Sequence, residues 1–312
     1  MIDLLLVALS GSGSYVCTSI LIRLLRSAGV FDKPTSRSSH ARPTVRGVGV
    51  AIAASWVVSA VVVSAMHGWP APVLSVILLG IALCVIGFLD DVWHLSPGLR
   101  LALEVAISAA CVAAGHLGVS KITFPGIPPT DTGILGTPIS VICLVTAVNV
   151  FNFMDGIDGL AAGQTVVQGA ALCAVALITH DTAVALLAAC LAASAGGFIP
   201  YNWSPARCFM GDAGSYFCGG TLAGLLLLDV RGGASLPLAA LPSIAFFLDS
   251  GSTLIRRLAH RKKPWIAHRD HHYQRMVLCG SSHAQVTTVY LTVAVLLGLL
   301  TVVLQRALGA AA

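Results

Sequence analysis

Two carboxylates stand side by side at the end of an apolar run, in Gly87-Phe88-Leu89-Asp90-Asp91. Adjacent carboxylates repel each other, so such a pair needs a cation or a protonated partner. The plainer alternative is a cap on a following helix, whose start Pro97 and Arg100 announce. In the segment Asn149 to Gly159, the residues Asn149, Asn152 and Asp155 recur three apart and share one face if the run is helical. Gly156 and Gly159 then argue for a break that turns Asp158 toward a ligand. Amide and carboxylate oxygens at a helix end suit a hard cation such as Mg²⁺. A third segment, Gly197 to Ser215, holds Asn202 and sets Asp212 among glycines just before a new apolar run. There its carboxylate can meet the N–H groups of a helix start or a metal-bound phosphate.

Two basic segments complement these acids. Arg256, Arg257, Arg261, Lys262 and Lys263 suit anionic lipid head groups, and His268, Arg269, His271 and His272 follow them closely. Imidazoles at that spacing serve as metal ligands or as donors to phosphate. Zn²⁺ is disfavoured because no Cys stands beside them and the nearby carboxylates favour Mg²⁺. The stretch from Asp32 through Lys33, Arg37 and His40 to Arg46 and Gly49 offers Ser, Arg and backbone donors that could hold a phosphate, or simply a basic loop at a membrane.

The elements that must position these residues are membrane spans. Of the 312 residues, 56% are hydrophobic and 10% charged, against roughly 25% charged in a soluble domain. That excludes a soluble enzyme. Apolar runs are expected to span near 4–25, 48–66, 73–89, 99–115, 137–153, 160–179, 182–199, 214–230, 236–255 and 285–305. The first basic residue is Arg23, so no positive leader precedes the first run, which is read as a retained span. Distributing the 18 Lys and Arg by alternating side gives 15 on one side and 3 on the other. The positive-inside rule makes the richer side cytoplasmic, with both termini outward. The net charge of +5 is therefore a topology signal rather than a mark of nucleic-acid binding. Asp90, Asp91, Asp155, Asp158, Asp212, Asp249 and Asp270 fall on or beside the cytoplasmic side. Asp3, Asp131, Asp181 and Asp229 are read as solvated residues of the outer connections, and Glu104 lies one turn into a span. No C-x-x-C pair occurs among the nine Cys; seven fall in spans and are read as small apolar fillers.

In this order the segments resemble the polyprenyl-phosphate N-acetylhexosamine-1-phosphate transferase superfamily, over residues 30 to 275. The most specific parts are Asn149 to Gly159 and Phe209 to Ser215. The loop Ala267 to Gln274 departs from the His-x-His-His form of the main bacterial branch and is similar to the O-antigen-initiating branch, as is Asp32 to His40. Where the family has Pro-Arg-Gly-Gly-Gly this chain has Val45-Arg46-Gly47-Val48-Gly49, which keeps the arginine.

The resemblance implies an all-α polytopic membrane protein of about ten spans, a single transferase domain over 1–312, with its active site in cytoplasmic loops of a bacterial inner membrane. It implies Mg²⁺ on Asn152 and Asp212, and catalytic roles for Asp90, Asp91 and Asp212. Substrate contacts are expected from Lys33, Arg46, Asn149, Asp155, Asp158, Asn202, His268, Arg269 and His271. The expected partners are undecaprenyl phosphate, a UDP-N-acetylhexosamine and the lipid bilayer; a homodimer is left open. A secondary transporter also carries intramembrane acids, but its site belongs near the bilayer midplane, whereas these carboxylates cluster at one face.

Overall fold

A computed structural model describes residues 2–32, 43–263 and 268–311. The helices and short strands run in the order α1 (Ile2–Ser27), β1 (Phe31–Asp32), β2 (Thr44–Val45), α2 (Val50–Met66), α3 (Ala71–Trp93), α4 (Pro97–Gly115), β3 (Lys121–Phe124) and β4 (Ile127–Asp131). They continue as α5 (Gly136–Met154), α6 (Leu160–Ile178), α7 (Thr182–Asn202), α8 (Gly211–Arg231), α9 (Leu236–Ala240), α10 (Ile244–Ala259), α11 (His272–Leu278) and α12 (His283–Ala311). Nine helical stretches among the described residues are long and apolar enough to cross a membrane, and α2 is a shorter apolar helix of 17 residues. The chain is an all-α polytopic membrane protein, and all ten expected runs are helical.

Helix α8 is the axis, buried along nearly its whole length, with α3, α5 and α6 packed on it. Outside that centre, α1, α2 and α7 are joined by polar contacts in the apolar interior. Ser55 donates to the Ser10 carbonyl at 2.7 Å, and Trp56 Nε1 donates to the Leu187 carbonyl at 2.9 Å. Such bonds fix helix register where lipid supplies no competing partner.

Three features depart from the sequence reading. The expected span at 236–255 is broken: Pro242 separates α9 from α10, and Gln164 and Gln168 of α6 donate to the Pro242 and Ala239 carbonyls at 3.1 and 2.8 Å. A broken helix survives in a bilayer only when neighbours satisfy its freed backbone in this way. At the end of the bundle away from Asp90, Asp91 and Asp212, β3 and β4 form an antiparallel hairpin that no apolar pattern announced. Asp229, read as a solvated turn residue, is 0% exposed, its carboxylate receiving the Thr179 hydroxyl at 3.2 Å; Asp181 caps α7 through the Val184 N–H.

Candidate active site

The C-terminal end of α3 meets the N-terminal end of α8 at backbone distance. A Cβ on Gly87 would lie 2.3 Å from the Asp212 carbonyl oxygen, so only glycine admits this approach. Gly211, with φ of +73°, then turns the chain into α8 against Asp91. Asp91 accepts the backbone N–H groups of Asp212 and Ala213, each at 3.1 Å. The cap anticipated for the acidic pair is therefore real, but it serves α8 rather than the helix that follows in sequence. Asp90 is held by the Leu95 N–H at 2.7 Å and by Arg100 Nη1 at 2.5 Å, while His94 in the left-handed region ends α3 and Ser96 caps α4.

Arg46 reaches this junction because Thr44 to Gly49 runs beside Cys208 to Met210. The Phe209 N–H donates to the Val45 carbonyl, and the Val48 and Gly49 N–H groups donate to the Phe209 and Met210 carbonyls. Arg46 Nη2 lies 2.9 Å from Asp91 Oδ1 and 3.0 Å from Asp212 Oδ1. Burial opposes its charge, but Asp212 and Asp91 outweigh that and hold its pKa above the ordinary value. From α5, Asn152 Nδ2 contacts Asp212 Oδ1 at 3.1 Å and Ser215 Oγ at 3.2 Å. Asn149, one turn back, donates to the buried Glu104 of α4 instead. Glu104 is thus the bracket of Asn149.

Helix α5 ends at Met154, and Asp155, half-buried, follows as its cap residue. Burial, then repulsion from Asp212, pushes the Asp155 carboxyl well above the usual range despite Arg46. Asp158 faces elsewhere. Its carboxylate accepts the Ala206 N–H at 3.1 Å and lies 3.2 Å from His283 Nδ1 at the start of α12. Burial would raise its pKa, but His283 and the Ala206 N–H more than offset that and lower it. Asn202, buried, accepts from the Gly159 N–H and donates to the Cys208 carbonyl. Asp158 and Asn202 therefore brace the loops around Asp212.

The histidine loop is fastened to α10 and α5. Asp249 receives the backbone N–H groups of His272 and Tyr273 and the Tyr290 hydroxyl, and it contacts His271 Nδ1. Tyr273 donates to the Phe153 carbonyl at 2.9 Å, and the His271 ring sits 6.0 Å from the Phe153 ring. Phe153 follows Asn152, so the loop packs on the end of the helix that carries Asn152. The buried Arg257 donates to Asp270 and to the Lys263 carbonyl, tying both flanks of 264–267; burial would raise the Asp270 carboxyl, but the Arg257 hydrogen bond more than offsets that and holds it below its ordinary value. Burial, then the charge of Arg257, lowers His268 to about 4. Arg269 is half-buried beside it, and Lys33 lies outside the described residues.

Asp249, Glu104, Arg100, Tyr273 and His283 were not assigned from sequence. A carboxylate inside an apolar run is the signal that could have found the first two.

The model of glycosyl transferase family 4 matches residues 73–229, from α3 through α8. The chain belongs to that family. Membership extends to the polyprenyl-phosphate N-acetylhexosamine-1-phosphate transferase superfamily that the motifs resemble. A probable undecaprenyl-phosphate N-acetylglucosaminyl 1-phosphate transferase of Bacillus subtilis (strain 168) is 27% identical over 94% of this chain and 82% of its own length. A phospho-N-acetylmuramoyl-pentapeptide-transferase of Synechococcus sp. (strain JA-2-3B'a(2-13)) is 35% identical over 70% of this chain and 67% of its own. A decaprenyl-phosphate N-acetylglucosaminephosphotransferase of Mycobacterium leprae (strain TN) is 27% identical over 90% of this chain and 79% of its own. The family 4 match contains Asp90, Asp91, Asn152 and Asp212, while Arg46 and the histidine loop lie outside it and join the site through the fold.

Proposed function

We propose that the protein transfers an N-acetylhexosamine 1-phosphate from a UDP-sugar to undecaprenyl phosphate, releasing UMP and starting a lipid-linked cell-surface polysaccharide such as O-antigen. The observation that carries this reading is the convergence of Asp90, Asp91, Asp212, Asn152 and Arg46 at helix ends, with the histidine loop packed on the end of the helix that carries Asn152. A phosphosugar transfer needs positive charge and hard oxygen ligands where two phosphates meet, at the depth of lipid head groups. The relatives' printed substrates, polyprenyl phosphates and N-acetylated sugar phosphates, support the same class.

The donor set fits Mg²⁺. Asp212 supplies a carboxylate, and the Asn152 carboxamide touches it, with its oxygen available by a simple flip. Mg²⁺ takes one or two protein oxygens and fills its remaining positions with water and substrate phosphate. It therefore does not need the group of three or more His, Cys, Asp or Glu that is absent among the described residues. When bound, it would neutralise the diphosphate and stabilise the departing UMP.

The protein's own groups do the rest. An acceptor phosphate oxygen attacks the sugar-bearing phosphorus, and the bond from that phosphorus to the oxygen shared with UMP breaks. Arg46, bridging Asp91 and Asp212, gives the incoming phosphates a fixed positive charge. Asp90 is engaged by Arg100 and the Leu95 N–H, and a phosphate monoester with a second pKa of about 6 is mostly ionised at neutral pH. In this reading Asp90 positions Arg100 and the acceptor rather than removing a proton. His268, Arg269 and His271 hold the nucleotide-sugar, with His268 and Arg269 at its diphosphate, and the site faces the cytoplasm of the bacterial inner membrane.

The test is to supply purified protein in lipid with undecaprenyl phosphate, Mg²⁺ and a UDP-N-acetylhexosamine labelled at its sugar-bearing phosphorus. The label is expected in the lipid product. Label that stays entirely water-soluble, for every sugar offered, overturns the reading.

A further inference from the structure

Two loop imidazoles each meet at Nδ1 a hydrogen-bond partner of fixed sense; the Gln274 N–H also turns toward the His271 side chain in a capping box but makes no cap hydrogen bond with it. Asp249 takes the backbone N–H of His272 at 2.8 Å, that of Tyr273 at 3.0 Å and the Tyr290 hydroxyl at 2.6 Å. A carboxylate receiving two main-chain N–H groups acts as an acceptor. Its contact with His271 Nδ1 at 3.2 Å is therefore made through Nδ1–H. His268 has the reverse arrangement. Its Nδ1 lies 3.2 Å from the Asp270 N–H, which can only donate, so that nitrogen is bare and the ring proton sits on Nε2. The two rings stack with centroids 5.0 Å apart, and Phe153 and Tyr273 complete an aromatic surround for the buried His271.

We propose that the Asp249 carboxylate and the Asp270 peptide set this stacked pair in opposite tautomers, His268 offering an Nε2–H donor and His271 a bare Nε2 acceptor. The pair then reads a ligand that accepts at one point and donates at the next. On the transferase reading, on which this rests, a phosphate oxygen meets His268 and a hydroxyl or amide N–H of the same nucleotide-sugar meets His271. The low pKa of His268, about 4, agrees with a permanently neutral donor. Asp249 has its contacts, the Thr253 hydroxyl at 3.5 Å included, within this chain and touches no substrate in this scheme. It is a positioning residue that acts through His271, as a carboxylate orients an imidazole in many catalytic sites.

The direct test is solid-state NMR of ¹⁵N-histidine-labelled protein in lipid at pH 7, with His268→Gln and His271→Gln assigning the two rings. The expected result is Nε2–H with bare Nδ1 at 268, and Nδ1–H with bare Nε2 at 271. Both rings in one tautomer, or a doubly protonated ring at 271, overturns the proposal. A kinetic cycle tests the positioning role. Asp249→Asn is expected to lower kcat/KM for the UDP-sugar by about 10- to 100-fold, and the double variant Asp249→Asn/His271→Gln to lose no more than His271→Gln alone. Losses that multiply in proteins of unchanged Tm contradict it. Should Asp249→Asn not fold, Tyr290→Phe removes one donor to the same carboxylate and is expected to move the Nδ1 resonance of 271 but not that of 268; an unmoved resonance contradicts the linkage. Wild-type protein that releases no UMP from any UDP-sugar defeats the transferase reading instead, and the NMR result still judges the tautomers.

Discussion

Asp91 caps the helix that carries Asp212: the Asp212 backbone N–H donates to Asp91 Oδ1 at 3.1 Å while Arg46 bridges the two carboxylates. Two acids 121 positions apart thus divide the work, one holding the helix start and the other facing outward from it. The division has a measurable consequence. Asn keeps a capping oxygen whereas Ala does not, so Asp91→Ala is expected to cost about 1–2 kcal/mol of stability and Asp91→Asn a fraction of that. Thermal denaturation in detergent is the check, and equal losses for the two variants would remove the cap from the account.

Asp212 and Asn152 are expected to respond to the metal. In Asp212→Asn and Asn152→Asp, the Mg²⁺ concentration giving half-maximal rate should rise for the first and shift measurably for the second, since each changes an oxygen donor at the same point. Near-normal rates with an unchanged Mg²⁺ dependence in both would take these residues out of the metal's surroundings.

The histidine loop carries a pH signature. His268 has a folded pKa of about 4 against an ordinary 6.5, so between those values the unfolded chain binds the extra proton and the folded protein does not. Stability therefore rises with pH through that window and is lost as pH falls from 6.5 toward 4. Comparing Tm from pH 7 to 5, wild type should lose more than His268→Gln. Parallel curves would mean that His268 is not held neutral by its surroundings.

Spans were legible in the sequence because ten long apolar runs separated by Gly, Pro and charge leave little choice of element. The break at Pro242 was not, because the flanking residues stay apolar and the glutamines that satisfy its carbonyls lie on α6, more than 70 positions away. The site segments were legible as residue types at helix ends. Their partners were not: Asp158 meets His283 across 125 positions, and Asn202 meets Gly159 across 43. Asp249 sat unassigned in an apolar run although it holds the whole histidine loop, and Asp229 was misread because position alone does not report burial.

The sidedness is open to labelling. With Cys introduced at Lys262, exposed at the active-site end, and at Thr130, exposed in the hairpin at the other end, a membrane-impermeant thiol reagent added to intact cells should reach only the second. Labelling at 262 would invert the topology and place the site outside.

Phosphosugar transfer is measured by supplying undecaprenyl phosphate, Mg²⁺ and a panel of UDP-sugars to membranes that contain the protein and identifying the released nucleotide. One sugar of the N-acetylhexosamine class should yield UMP in step with a diphosphate-linked lipid, and Asp212→Ala should abolish both. Release of UDP, or of no nucleotide from any sugar, would contradict the account.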